Sequence, residues 1–372
     1  MVRGRVVIPR TPDDFSVEWL SEALRPLLAE AGARIAGADV RYHDTPGQTA
    51  DAVTIALRYD QASAALPARI FGKFTALNPE VREFSESADL YRREVSFYSE
   101  IHDAGLPVPR CYYSDFNAAT YEFVLLLEDL SEGECPSWGI AAAQVVTAIE
   151  HLPAFHATWW NRAEAKGLDW AVQVEDREFW NELQGSLQTN FKQAVDRFGD
   201  QLPLEFVEIY EMVVAKYEHF RRYLGTRPFA LVHGDYHMKQ IFLPRTDGRG
   251  RFAVFDWQFP CVAPGPWDLA RMMVLSLTTE KRRELQPGFL ANYLHGLEVG
   301  GVKDYTIDGL TEDLRTGCIQ NLIIHGNALG GTDVDIVEKE ASDYGMRWQE
   351  VLIDRVNESL IELDALSFAR SL

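Results

Sequence analysis

No stretch of this 372-residue chain is apolar for long enough to cross a bilayer. Its longest purely apolar runs, such as Phe123 to Leu127, are far shorter than the roughly 18 residues a spanning helix needs. At the N-terminus, Arg3 and Arg5 are followed only by Val6, Val7 and Ile8 before Pro9, too short a core for a secretory signal. Cysteine is scarce. Cys111, Cys135, Cys261 and Cys318 include no pair at zinc-site or redox spacing, so reduced thiols and a cytoplasmic location are expected. Basic residues are outnumbered, 36 against 56 acidic, for a net charge of −20. A nucleic-acid partner, which needs a dense basic face, is not expected. An acidic surface concentrates cations and so favours a cationic small molecule, although solubility alone also accounts for the excess. What remains is ordinary: 47% hydrophobic and 25% charged residues describe a folded chain with one large or two medium domains.

The pattern along the chain changes near residue 130. Thr11-Pro12-Asp13-Asp14 reads as a helix start, and Trp19, Leu20, Ala23, Leu24 and Leu27 follow at helical spacing. Residues 52–59 and 69–74 read as strands, 90–102 as a helix and 121–127 as another strand. Beyond that, residues 140–160, 179–198 and 204–224 are helical, a strand–loop–strand region covers about 228–257, and the rest is helical again. A strand-rich first third before a helical remainder implies an α+β chain with a ligand cleft between lobes.

The densest chemistry lies in Leu231-Val232-His233-Gly234-Asp235-Tyr236-His237-Met238-Lys239-Gln240-Ile241-Phe242. Apolar ends flank a polar segment too rich in His, Asp and Lys to be a strand, which suggests a functional loop. Phe252-Ala253-Val254-Phe255 then delivers a second carboxylate, Asp256, and Pro264-Gly265-Pro266-Trp267-Asp268 turns into a helix. Two carboxylates at strand ends suit metal-assisted phosphoryl transfer: one takes the proton of an attacking hydroxyl, the other holds Mg²⁺. Lys73 sits between Phe71 and Phe74 in an apolar strand, where an ammonium needs a partner. Glu94 on the following helix is the expected one, and such a pair can position the phosphates of a nucleotide.

These residues resemble the aminoglycoside phosphotransferase/choline kinase superfamily, with bacterial ecdysteroid-kinase-like proteins as near relatives. The resemblance runs from about residue 45 to 275. It rests on His233, Gly234, Asp235 and His237, which match the H-G-D-x-H catalytic loop, and on Asp256-Trp257 after the next strand. It implies a two-lobed protein-kinase-like fold: a nucleotide-binding lobe at 1–127, a hinge at 128–134 and a helical lobe at 135–372. It implies Asp235 as catalytic base, Asp256 as a Mg²⁺ ligand, and Lys73 and Glu94 as the nucleotide-positioning pair. Glu128 and Leu130 fall in the hinge beside the adenine. Gln48 and Thr49 fall in the loop over the phosphates. Asp268 braces the catalytic loop and His233 is structural within it, while His237 has no assigned role. The implied reaction is ATP- or GTP-dependent phosphorylation of a hydroxylated small molecule.

Two positions depart from the family pattern. The Asn that ends the family's loop is Gln240 here, one methylene longer, and it is expected as the second Mg²⁺ ligand. The phosphate-covering segment Thr45 to Asp51 has a single glycine. Both departures keep open a second reading, a catalytically weak or inactive kinase-like protein that binds a nucleotide or metabolite. The sequence carries no signal for the identity of the acceptor.

Overall fold

The computed structural model describes residues 6–43, 49–61, 63–138, 140–331 and 334–372. They form two compact units. The first comprises Met1–Glu134 together with Pro244–Phe259, and the second Cys135–Leu243 together with Pro260–Leu372.

The first unit is built on five antiparallel strands: β1 (Ile35–Tyr42), β2 (Asp51–Tyr59), β3 (Arg69–Phe74), β4 (Cys111–Asn117) and β5 (Glu122–Glu128), in the order β1-β2-β3-β5-β4. Alternation sets the two faces of β2: Val53, Ile55 and Leu57 are buried between half-buried Ala52, Thr54 and Ala56. Central β5 is apolar throughout, and Phe123 to Leu127 are all buried. Two helices, α1 (Val17–Ala23) and α2 (Arg25–Ala31), cover one face, packing Phe15, Leu20 and Leu24 with Val53, Ile70, Phe74 and Val124. The N-cap of α1 is Ser16, whose Oγ accepts the Trp19 N–H at 3.2 Å. Thr11, the residue expected to start this helix, instead begins a 3-10 turn over Pro12–Asp14, because Asp14 folds back onto the Thr11 N–H and hydroxyl. Strands β1 and β4 escape a reading by periodicity. Gly37, Ala38 and Asp39 weaken one, and β4 is half-buried at every position. Gly72 lets β2 and β3 meet, since a Cβ there would lie 2.8 Å from Val53 Cγ2.

Helices α3 (Pro79–Ser87) and α4 (Leu90–Glu100) follow β3. Residues 244–259 then return to this unit, with a short strand, β9 (Ala253–Val254), inside them. The sequence reading grouped this segment with the helical part. Its tethers to the first unit are specific. The Val254 N–H donates to the Pro107 carbonyl at 2.9 Å, Arg251 pairs with Glu128, and Trp257 stacks on Phe97 with centroids 3.7 Å apart.

The second unit is mainly helical. It holds α5 (Ala142–Trp159), α6 (Ala163–Lys166), α7 (Arg177–Phe198), α8 (Leu204–Ala215), α9 (Tyr217–Leu224), α10 (Pro266–Ser276), α11 (Thr279–Val299), α12 (Ile307–Gly331), α13 (Val334–Ser342), α14 (Arg355–Glu362) and α15 (Ala365–Ser371). The stretch expected as one helix over 204–224 breaks at Lys216 into α8 and α9. A small sheet joins β6 (Val172–Gln173), β7 (Ala230–Val232) and β10 (Cys261–Ala263), and β8 (Ile241–Phe242) ends the loop after β7. Helix α10 is the buried axis: all eleven of its residues are buried, with α5 and α12 packed against it.

Candidate active site

The candidate residues fall into two groups, one in each unit. In the first, β3 points Ile70 and Phe74 into the core and Lys73 to the opposite face. Lys73 Nζ lies 2.7 Å from Glu94 Oε2 on α4 and 2.7 Å from Asp256 Oδ1. Burial alone would lower the Lys73 ammonium, but Asp256 and then Glu94 outweigh it and hold the pKa above its usual value. Burial pushes the Glu94 carboxyl up and Asp256 adds repulsion, while Lys73 opposes both. Asp256 sits just past β9 with φ of +63°, a left-handed backbone that Asp and Asn tolerate better than other side chains. Beyond it, Gln258 is fully buried and its Oε1 accepts the Thr49 hydroxyl at 2.7 Å. The Thr49 carbonyl accepts the Ser85 and Tyr91 hydroxyls, each at 2.8 Å. Thr49 is thus pinned where the expected phosphate loop re-enters β2, with its hydroxyl directed at Gln258. Gln48 lies outside the described residues.

Among the expected hinge residues, the Glu128 carboxylate accepts from Arg251 Nε and from the Arg110 N–H, each at 3.1 Å. The Glu128 N–H donates to the Arg110 carbonyl at 2.8 Å, and the buried Leu130 offers its carbonyl to the Gly133 N–H at 2.9 Å.

In the second unit the loop between β7 and β8 is fixed from below. Asp268, on the first turn of α10, accepts the His233 N–H at 2.8 Å and the Gly234 N–H at 3.0 Å. Gly234 takes a φ of +79°, which turns the chain sharply before Asp235. Asp268 is 3.3 Å from His156 Nε2 on α5, and His156 Nδ1 is 2.7 Å from the Tyr293 hydroxyl on α11. His233 Nδ1 accepts the Asp235 N–H at 3.3 Å, and His237 Nδ1 accepts the Lys239 N–H at 3.3 Å.

The Asp235 carboxylate is surrounded by N–H donors. Arg271 gives Nε at 2.7 Å and Nη2 at 2.6 Å to Oδ1. Gln240 Nε2 donates to Oδ2 at 3.1 Å, and His237 Nε2 stands 3.4 Å from the same oxygen. Burial would raise this carboxyl, but Arg271 and His237 outweigh it and hold it well below the usual carboxylate range. Asp235 is therefore ionised throughout the neutral range. Lys239 turns away to Glu340 on α13 and lies over the Trp138 ring, 4.9 Å from its centroid.

Sequence reasoning missed Arg271, Gln258, Tyr293 and Asn321. Arg271 had a legible signal: it is the lone charge in the apolar run from Leu269 to Leu275. The others are polar residues whose partners come from distant elements.

Oxygen donors suit Mg²⁺, which takes one or two carboxylates and completes its shell with phosphate and water. Lys73 occupies Oδ1 of Asp256, so Oδ2 is the oxygen left for a metal. In the second unit, Gln240 spends its nitrogen on Asp235, which leaves its Oε1 as an oxygen donor. Among the described residues, no group of three or more His, Cys, Asp or Glu side chains is arranged to hold a metal. Also among the described residues, no helix is long and apolar enough to cross a membrane.

His325 on α12 is buried, and its ring Nδ1 lies 2.8 Å from the Leu352 carbonyl. Burial, reinforced by Arg271, lowers its pKa to about 3. The unfolded chain therefore binds a proton that the folded chain refuses, and stability falls as pH drops below the ordinary histidine value. Urea unfolding at pH 7 and pH 4.5 should show about 2–3 kcal/mol of this loss in the wild type. His325→Gln should show that much less dependence, and equal pH dependence in the two proteins would contradict the assignment.

The family described as Phosphotransferase enzyme family (APH) matches residues 79–306, more than half of the chain. No curated protein matches it by sequence. Among solved structures, it is similar to an ethanolamine kinase of Plasmodium vivax, with 12% identity, 90% of this chain and 83% of that chain covered, and a TM-score of 0.47. It is also similar to a spectinomycin phosphotransferase solved with ADP and spectinomycin, with 12% identity, 92% and 98% coverage and a TM-score of 0.47. A choline kinase of Streptococcus pneumoniae shows 11% identity, 94% and 98% coverage and a TM-score of 0.45.

Proposed function

This chain belongs to the phosphotransferase enzyme family, and we propose that it is a small-molecule kinase of protein-kinase-like fold that moves the γ-phosphoryl group of ATP, or of GTP, to a hydroxyl of a small molecule. The acceptor oxygen bonds to the γ-phosphorus as the bond to the β–γ bridging oxygen breaks, the nucleoside diphosphate leaves, and the hydroxyl proton passes to Asp235. Phosphoryl transfer needs positioning and charge stabilisation more than a strong base. A carboxylate held ionised by Arg271 suits that demand: it orients the hydroxyl and accepts its proton late.

Lys73 and Glu94 position the phosphates, Glu128 and Leu130 flank the adenine, and Gln48 and Thr49 belong to the segment over the phosphates. Asp256 and Gln240 would hold Mg²⁺, which when bound neutralises charge developing on the phosphate oxygens. The acid excess of the chain admits a cationic acceptor.

The observation that carries this reading is the half-buried Lys73 held between two carboxylates. Such a group adds little to stability compared with apolar packing, so a chemical role accounts for it better than a structural one. The test is nucleotide turnover with Mg²⁺ across a library of hydroxylated metabolites. Nucleotide binding without transfer to any of them would overturn the reading in favour of a binding protein.

Gln240 supplies a sharper test. Its side chain spans from the loop backbone to Asp235. Gln240→Asn removes one methylene, so the amide cannot serve Asp235 and a metal from the same backbone position. Turnover should fall about tenfold, and the Mg²⁺ concentration for half-maximal rate should rise. A rise in turnover would mark the wild type as a weakened kinase.

A further inference from the structure

Resting on the reading of Asp235 as the group that receives the acceptor proton, we infer that Arg271 is a positioning residue for the reaction, fixing the Asp235 carboxylate through a guanidinium clamp that Asn321 holds in register. The clamp joins three elements. Arg271 lies on α10, the most deeply buried helix, and is itself buried. Its Nε and Nη2 both reach Asp235 Oδ1, at 2.7 and 2.6 Å. Its Nη1 reaches Asn321 Oδ1 on α12, at 3.0 Å. Asn321 is also fully buried, so the far side of the guanidinium cannot drift.

The geometry divides the carboxylate into two oxygens with different duties. Oδ1 takes the Nε hydrogen bond and has Nη2 at 2.6 Å, so the guanidinium occupies it. Oδ2 takes only the neutral Gln240 amide at 3.1 Å, with His237 at 3.4 Å. Oδ2 is therefore the oxygen that an acceptor hydroxyl meets. A lysine at position 271 would keep the charge but not the planar fork, so it could not hold Oδ1 and Asn321 together. Asp268, three residues earlier on the same helix, already holds the loop backbone. Helix α10 thus fixes the backbone of the loop with one residue and its reacting side chain with another.

The experiment measures phosphoryl transfer from Mg–ATP and Mg–GTP to an alcohol library, with water as the baseline acceptor. It compares wild type, Arg271→Lys, Asn321→Ala, Asp235→Asn and the Asp235→Asn/Arg271→Lys double variant. Arg271→Lys should lower kcat about 100-fold, with the KM for nucleotide changed less than about twofold, the loss typical of an ångström-scale misplacement. Asn321→Ala should lower kcat about tenfold in the same manner, and it keeps the test open if Arg271→Lys folds poorly. In the Asp235→Asn background, Arg271→Lys should cost less than about twofold more, because there is no longer a carboxylate to position.

Equal losses from Arg271→Lys with and without Asp235 would overturn the proposal and leave Arg271 as packing. So would an unchanged kcat in both Arg271→Lys and Asn321→Ala. Wild-type turnover in Asp235→Asn would instead overturn the base assignment itself, as would a wild-type protein that transfers to no acceptor, water included.

Discussion

Asp235→Asn is expected to lower turnover by about 10²–10⁴-fold while nucleotide affinity changes little. The substitution keeps shape and one oxygen but removes the proton acceptor. It also leaves the buried Arg271 guanidinium facing a neutral amide in place of the charge it now pairs with at 2.6 Å. Removing one partner of a buried pair destabilises by about 3–5 kcal/mol, so the variant should also melt lower. Rates must therefore be taken well below its unfolding transition. Calorimetric titration with Mg–nucleotide separates the two effects: near-normal affinity with lost turnover is the expected result. Wild-type turnover on an identified acceptor would remove Asp235 from the reaction.

The second large effect is expected at Asp256. Asp256→Ala should weaken Mg²⁺-dependent nucleotide binding and turnover together, each by at least about 100-fold, because a charge-neutralising ligand is lost from the metal. Affinity for nucleotide without metal should change far less. The alanine alters two other things at once: it places a side chain poorly suited to φ of +63°, and it removes one of the two carboxylates on Lys73. Asp256→Asn isolates the charge, since Asn tolerates that backbone. If Asp256→Asn retained wild-type metal dependence, Asp256 would serve only to hold Lys73.

The parts of this architecture that were legible in sequence are those written in local chemistry. Central strands β2, β3 and β5 declare themselves by alternation or by continuous apolar residues. Lys73 stands out because a cation in such a strand demands a partner. Strand β4 was not legible, because an edge strand half-buried throughout has no apolar period. The false start at Thr11 has a similar cause: an Asp three residues on satisfied the capping pattern, but the turn it closed was a 3-10 turn and the helix waited for Ser16. Within the candidate site, the loop around Asp235 was legible as a motif, whereas its donors were not. Arg271 reaches the carboxylate from α10 and Asn321 on α12 holds the far side of that guanidinium, and only packing brings them there. Gln258 is hidden for the same reason, as its Thr49 partner precedes it by most of the chain.

The return of residues 244–259 to the first unit has a consequence for how the protein is made. When the ribosome has released residues 1–134, the five-stranded sheet can form, but the unit is unfinished. Lys73 then has Glu94 but not Asp256, Phe97 lacks the indole that stacks on it, Thr49 has no Gln258, and Glu128 has no Arg251. More than a hundred residues of the helical unit must emerge before these places are filled. The group of charges around Lys73 is thus completed late in synthesis, and a fragment cut at residue 134 would carry Lys73 with no second carboxylate. Timing ties the assembly of that site to translation of the segment that carries Asp235, which has already left the ribosome when Asp256 arrives.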